Sequence, residues 1–417
     1  MTLPEKIYFN KRKIINDPIY GFINIPDGLV YEIIEHSYFQ RLRRIQQLGL
    51  TYLVYPGAVH TRFHHAIGSM YLMLEAINTL RAKGHDISKE EEEAALIAIL
   101  LHDIGHGPFS HTLENNIVHN INHEILSELF FYRLNNIFSG RLNLAISIFK
   151  NTYHKKFLHQ LVSSQLDVDR LDYLKRDSYY TGVSEGVAGT ERIIKMLNVS
   201  GGNLVVEEKG VYSIEKFIVA RRLMYWQVYL HKTVLSAEYL LISILKRASL
   251  LALNGEELFA TPALKEFLYN KYGPEDFKNN HELLNIFASL DDADILASIK
   301  TWVNHKDCIL STLCRNLINR QLPAAELSAV PLDKNLINSI KNNVAKCYGI
   351  DYSDTVFFVF EEDITNYAYN PNQDNIRILC KNGAVNDIMN VSEQMQIAFL
   401  SGKVSKYFFC YPKNCKY

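Results

Sequence analysis

The chain has 417 residues, 48% of them apolar and 21% charged, with a formal net charge of −1. This is ordinary globular composition, long enough for two or three domains or for one large domain with an appendage. The balanced charge argues against a global field drawing nucleic acid or an anionic membrane, and no uninterrupted apolar run reaches the ~18 residues of a membrane span. The first residues, Met1 to Lys6, lack the charged-then-apolar pattern of a signal peptide. All six cysteines (Cys308, Cys314, Cys347, Cys380, Cys410 and Cys415) lie in the last third without a CxxC pair. They read as free thiols in a reducing compartment, so a cytoplasmic location without membrane contact is expected.

In chain order, residues 14–23 read as a strand, a turn at Asn16-Asp17-Pro18 and a second strand. Residues 28–48 read as one helix, with Leu29, Ile33, Ile34, Leu42 and Ile45 on its apolar face and Arg41 and Arg44 on a solvated basic face. After Gly49, the loop holding His60, Arg62, His64 and His65 enters a helix expected over 66–83, where free N–H groups attract anions. Ser88 caps the next helix, and Glu90 to Glu93 suit the dipole of its first turn. Helices over 121–135 and 158–180 follow. The second carries seven ionic side chains between Gln165 and Asp177, more than a core-facing helix tolerates without partners. Beyond it a small hairpin is expected at 203–206 and 210–214, then one long helix over 214–248. Weaker helical segments over 256–345 break at Pro262, Pro274, Pro323 and Pro331. From 349 strands are expected at 355–360, 376–380 and 407–411 around a helix near 392–400. No P-loop or Rossmann fingerprint is present, and Gly105 and Gly107 do not complete one.

The stretch from Ala94 to His111 organises the rest. An apolar helix runs into His102-Asp103, and a Gly-rich turn follows with His106 and His111. A carboxylate at the inner end of such a helix needs a cation or strong donors, and a divalent metal is the most direct compensation. For His102-Asp103 alone, a capped helix end with satisfied core histidines is the plainer alternative. Taken together, His65, His102, Asp103 and Asp169 offer two imidazoles and two carboxylates, a donor set suited to a divalent ion such as Mn, Mg, Fe, Ni or Zn. Such a site leaves positions for water and a phosphate oxygen. A histidine near neutral pH serves as a general acid, and Glu114 lies one helical turn after His111, placed to orient it.

The ordered set His65, His102-Asp103, Asp169 resembles the signature of the HD-domain metal-dependent phosphohydrolases. Within them the chain resembles the deoxynucleoside triphosphate triphosphohydrolases, particularly the SAM and HD domain-containing enzyme and its bacterial relatives. The matching words are Phe39-Gln40-Arg41-Leu42-Arg43 with Gln47-Leu48-Gly49, Arg62-Phe63-His64-His65, Leu101 to His111, Asp167 to Tyr173 with Arg176-Asp177, and Arg221 to Lys232. They span residues 13 to about 235, a little over half the chain. The resemblance implies that His65, His102, Asp103 and Asp169 hold the metal, and that His111 is catalytic, supported by Glu114 and His123. It gives the triphosphate to Arg62, His106, Arg170, Tyr173 and Arg221, and the sugar 3′-hydroxyl to Gln47 and Asp177. Leu48 and Tyr229 would exclude a 2′-hydroxyl; plain core packing is the alternative for these two and for Tyr173. Glu114 stands where the family pattern has aspartate, Arg170 where it has lysine and Tyr225, at the base edge, where it has histidine.

Lys13, Asn16, Gln40 and Arg43 match the part of the family that binds an activating nucleotide at subunit contacts, with Glu35 in place of an aspartate. This implies a nucleotide effector and a homo-oligomer, a dimer or tetramer; packing of the extended segment is the alternative. The expected fold is mainly α: an HD-domain helical core with a short N-terminal β segment over 1–250, a helical extension over 251–348 and a small α+β appendage over 349–417. The expected reaction is hydrolysis of a deoxynucleoside triphosphate to deoxynucleoside and inorganic triphosphate. An HD phosphohydrolase acting on another nucleotide or phosphate ester, and a non-catalytic nucleotide-sensing module, are the competing readings.

Overall fold

The computed structural model describes residues 13–109, 118, 121–366, 369, 375–392 and 404–415. The fold is mainly α. Its centre is the helix Lys89–Leu101, whose residues Ala94 to Leu101 are buried without a break. A helix apolar all round sits inside a core rather than on its edge. It packs against Arg62–Ala82 on one side and Asn143–Phe149 on another. Ser88 caps it as expected: Ser88 Oγ accepts from Glu91 N–H at 3.1 Å, and Glu91 returns the contact to Ser88 N–H at 2.8 Å. Glu91 is itself buried, where Tyr153 and Lys155 satisfy it.

Among the described residues the strands form three sheets. The hairpin of β1 (Ile14–Asp17) and β2 (Gly21–Asn24) is the one expected. The second hairpin is shifted: β3 (Leu197–Ser200) pairs with β4 (Asn203–Glu207), and residues 211–214 open a helix instead. Its turn is Gly201-Gly202, at φ 57° and 76°, the left-handed pair that a tight two-residue hairpin requires. β4 then pairs in parallel with β7 (Arg377–Leu379), and β7 with β8 (Val385–Asp387). The third sheet has the order β5 (Ala324–Ser328), β9 (Val404–Tyr411), β6 (Phe360–Asn366). Two sheets therefore join segments that lie in different parts of the expected division at 250 and 348.

Several expected helices are broken. Residues 28–48 form Leu29–Glu35, a short turn Ser37–Gln40 and a 3₁₀ segment Arg41–Arg44, after which Gln46 bridges to Thr61. His36 is extended and caps the second piece through Nδ1. The helix expected from 66 starts at Arg62, four residues earlier, because Thr61 and His64 cap it. The segment 158–180 divides into Lys156–Val162 and Val168–Thr181, with Asp167 capping the second. The long helix over 214–248 is Val211–Met224, a π-helical turn Tyr225–Tyr229, and Lys232–Leu253. Pro262 and Pro274 begin helices rather than end them. Residues 352–357 are 3₁₀ rather than strand, and most of the helix expected near 392–400 lies outside the described residues. Cys347 and Cys415 form a disulfide, which corrects the expectation of six free thiols; the other four are unpaired. No helix among the described residues is long and apolar enough to cross a membrane.

Candidate active site

Three helices bring the metal-ligand candidates together. His65 lies one turn into Arg62–Ala82, His102-Asp103 follow the end of the central helix, and Asp169 is in the first turn of Val168–Thr181. His65 Nε2 is 3.0 Å from Asp169 Oδ1, His102 Nε2 is 3.4 Å from the same oxygen, and each imidazole also faces Asp103, at 3.9 and 3.4 Å. His65, His102 and Asp169 form one group able to hold an ion; Asp103, His106 and His123 form a neighbouring one.

The donor set fits a metal. Each histidine has its Nδ1 committed: His65 to Asp172 Oδ2 at 2.8 Å, His102 to the Ile99 carbonyl at 2.6 Å. Both partners only accept, so the ring proton sits on Nδ1 and the Nε2 lone pair points inward. With the proton on Nδ1, each buried Nε2 lone pair faces a carboxylate oxygen and has no donor among the described residues, which is costly unless a cation or a second proton lies between them. Burial opposes a second proton on His65, but Asp169 and Asp172 outweigh it and push its pKa up to about 10. A divalent ion competes with that proton for the same lone pair. Burial would raise Asp169 and Asp103; the histidines outweigh it for both, helped by Arg62 at Asp103, and hold both carboxyls below the usual range.

The turn between the two halves of the site is fixed from both sides. Gly105 N–H donates to Ser127 Oγ at 2.9 Å, and that hydroxyl donates to the His102 carbonyl at 2.8 Å. A Cβ on Gly105 would lie 2.2 Å from the His123 carbonyl, so only glycine permits this approach. Opposite, Arg41 Nη2 donates to the carbonyls of Ile104 and His106, both at 2.8 Å. Arg41 is completely buried, with its guanidinium 5.3 Å from the ring centres of both Phe130 and Phe287. The expectation of a solvated Arg41 is thereby corrected; Arg44 is exposed and pairs with Asp291. Asp292, also unforeseen, accepts from Gln46 N–H at 2.8 Å and from Phe109 N–H at 3.1 Å. Burial outweighs those two donors and raises its carboxyl to about 6.

A cavity of about 500 Å³ opens beside the cluster and shares Asp103 and Asp169 with it. Of the expected substrate residues, Gln47, Leu48, Arg62, His106, Arg170, Tyr173, Asp177, Tyr225 and Tyr229 line this cavity, as does His123. Arg221 does not; its guanidinium sits 5.9 Å from the Tyr225 ring. Thr51, Leu235 and Glu238 line it without having been foreseen. Arg62 Nη1 donates to Asp103 at 2.7 Å and Arg170 Nη1 to Asp167 at 2.7 Å, and in both Nε is left without a partner among the described residues. His106 lies 3.3 Å from Asp103 and stacks on His123 at 3.9 Å. Burial and the Arg62 charge keep it well below the usual imidazole range, so it is neutral near pH 7.

Asp177 is buried, with one oxygen 2.8 Å from His60 Nε2 and the other accepting from Tyr229 Oη at 2.7 Å. Gln47 Oε1 is buried without a partner among the described residues. The π-helical turn adds a residue to its helix and brings both Tyr225 and Tyr229 to the cavity, their rings 5.1 Å apart. His111 and Glu114 lie outside the described residues. At the hairpin, Lys13 pairs with Glu35 at 3.4 Å and lies 3.9 Å from the Tyr31 ring centre, while Asn16 is exposed. Gln40 accepts from Arg43 at 2.9 Å, and Arg43 stacks 3.5 Å from the Phe63 ring centre.

Residues 62–177 match the model of the HD domain, and residues 189–258 that of the HD-associated region. The crystal structure of a phosphohydrolase from Bacteroides thetaiotaomicron superposes with a TM-score of 0.93 at 53% identity, covering 96% of this chain and all of that one. The uncharacterized protein YwfO of Bacillus subtilis is 33% identical over 97% of this chain and 93% of its own length. The deoxynucleoside triphosphate triphosphohydrolase SAMHD1 homolog of Dictyostelium discoideum is 32% identical over 55% of this chain, which spans about half (48%) of that relative.

Proposed function

This chain belongs to the HD-domain phosphohydrolase family, and from that premise we propose that it hydrolyses deoxynucleoside triphosphates to deoxynucleoside and inorganic triphosphate. The observation that carries the proposal is one cavity lined both by Asp103 and Asp169 and by Gln47, Asp177 and Tyr229. A site for a simple phosphate ester has no use for the second group. His65, His102, Asp103 and Asp169 would hold a divalent ion, which supplies Lewis acidity at a phosphoryl oxygen and a nucleophile at neutral pH.

The chain's own residues do the rest. Arg62 and Arg170 face a triphosphate of about four negative charges with fixed guanidinium donors, the strongest class of phosphate contact. Asp177 uses one acceptor position for His60 and one for Tyr229; a carboxylate has about four, so it can still accept a sugar hydroxyl. The buried Gln47 oxygen is a second acceptor for that hydroxyl. Burial and Asp177 keep the Tyr229 phenol protonated and pinned, giving a wall beside Leu48 that a 2′-hydroxyl would strike. Water attacks the α-phosphorus, its bond to the 5′-oxygen breaks, and His111 protonates the leaving oxygen, supported by Glu114 and His123. The same reading includes a nucleotide effector at Lys13, Asn16, Gln40 and Arg43, bound where copies of the chain meet.

Chromatographic product analysis tests the reading, with each dNTP and Mn²⁺, alone and with GTP added. Deoxynucleoside and intact triphosphate are expected. Orthophosphate or a nucleoside monophosphate as product would reassign the site to another phosphohydrolase reaction.

A further inference from the structure

The contacts behind His65 do not end at Asp172. Asp172 Oδ2, which accepts from His65, also accepts from Arg176 Nε at 2.9 Å, and its other oxygen accepts from Arg176 Nη2 at 3.0 Å. Arg176 Nη1 donates in turn to Asp17 Oδ2 at 2.8 Å. Asp17 is the last residue of β1, and its free oxygen accepts from the turn amides of Ile19 and Tyr20 at 2.9 and 3.0 Å. His65, Asp172 and Arg176 are 0% exposed and Asp17 3%. Gly68, on the His65 helix, leaves room for the network: a Cβ there would lie 2.1 Å from both Arg176 Nη2 and Asp172 Oδ1.

Burying two carboxylates and a guanidinium is tolerable only when every polar atom is matched, and here all three guanidinium nitrogens donate. We propose that the N-terminal hairpin is a positioning element of the metal centre: Asp17, acting through Arg176 and Asp172, fixes the tautomer and orientation of His65. The inference rests on reading His65 as a metal ligand. Asp17 holds the far nitrogen of Arg176, so the Nε–Nη2 fork stays square on Asp172. Without it, one buried N–H of Arg176 has no acceptor, the guanidinium turns to find one, and Asp172 Oδ2 is drawn from His65 Nδ1. Asp17 is thus a positioning residue; it touches neither the ligand nitrogen nor the cavity.

The test is retention of Mn²⁺ by the full chain against graded chelator, for wild type, Asp17→Asn and Asp17→Glu, with far-UV circular dichroism as the folding check. Asp17→Asn is expected to keep its helical signal and to release Mn²⁺ at about tenfold lower chelator, the usual cost of losing a group behind a metal ligand. Asp17→Glu, which restores the charge, should recover part of the loss. In wild type, loading with Mn²⁺ should slow hydrogen exchange at the amides of Ile19 and Tyr20, a measurement that needs no variant to fold. A folded Asp17→Asn that holds Mn²⁺ as wild type does, or turn amides indifferent to Mn²⁺, would overturn the proposal. Wild type that binds no Mn²⁺, or His65→Ala that binds it as wild type does, would overturn the ligand reading itself and this inference with it.

Discussion

Arg41→Met is the substitution that best weighs the scaffold of the site. The guanidinium holds two backbone carbonyls of the turn that carries Asp103 and His106. Each such charge-assisted bond contributes roughly 1.5–3 kcal/mol net, so the pair is worth about 3–6 kcal/mol. Part of that is returned, because burial and the nearby Arg62 and Arg44 disfavour the charge, and Nε and Nη1 have no partner among the described residues. Methionine keeps the packing between Phe130 and Phe287 through sulfur–aromatic contact. The balance is a loss of about 3 kcal/mol, read as a lower guanidinium chloride midpoint at equal metal content. Mn²⁺ retention should fall with it, since the loosened turn bears the proposed ligand Asp103. Arg41→Lys keeps the charge but not the fixed planar placement of the Nη2 donor, and should lie between the two. A loss under about 1 kcal/mol would show that the carbonyls find other donors, and the argument for Arg41 would be wrong.

Two further outcomes are expected. Asp292 has a pKa of about 6 in the fold against about 3.9 unfolded, so the folded state binds the extra proton between these values. Its contribution is complete below about pH 4 and is lost as pH rises through 6, to the extent of about 3 kcal/mol. The wild type's advantage over Asp292→Asn should therefore shrink across that window, and parallel pH–stability curves would remove the assignment. Tyr229→Phe deletes the bond to Asp177 but keeps the ring; a several-fold rise in KM for dNTP with preserved exclusion of ribonucleotides is expected. Admission of ribonucleotides by this variant would mean that the hydroxyl, not the ring, is the wall.

The gathering of His65, His102, Asp103 and Asp169 was legible because metal chemistry restricts residue type: an apolar helix cannot end in His102-Asp103 without compensation, and the helix with seven ionic side chains signalled partners nearby. What stayed hidden were the partners that come from far along the chain. Arg41 followed helical spacing onto a polar face, and nothing local announced that Phe287 would cover it. Asp17 read as a turn residue, which it also is, and Asp292, beside the helix cap Asp291, carried no local signal of its bonds to Gln46 and Phe109. The misplaced hairpin is different, because Gly201-Gly202 was a usable signal and the alternation of 203–206 was paired in the wrong direction. The π-helical turn went unread because helical spacing resumes on both sides of it.

The third sheet fixes an order of assembly. β5 and β6 do not pair with each other; each is held by β9, and Ala324 waits for Tyr411. As the chain leaves the ribosome from its N-terminus, the residues of the HD centre are complete well before this central strand exists. Until then β5 and β6 each present an open edge, a template for pairing with other chains. The segment is thus a late clasp on an otherwise finished helical body, and crowded synthesis endangers it before it endangers the proposed metal centre.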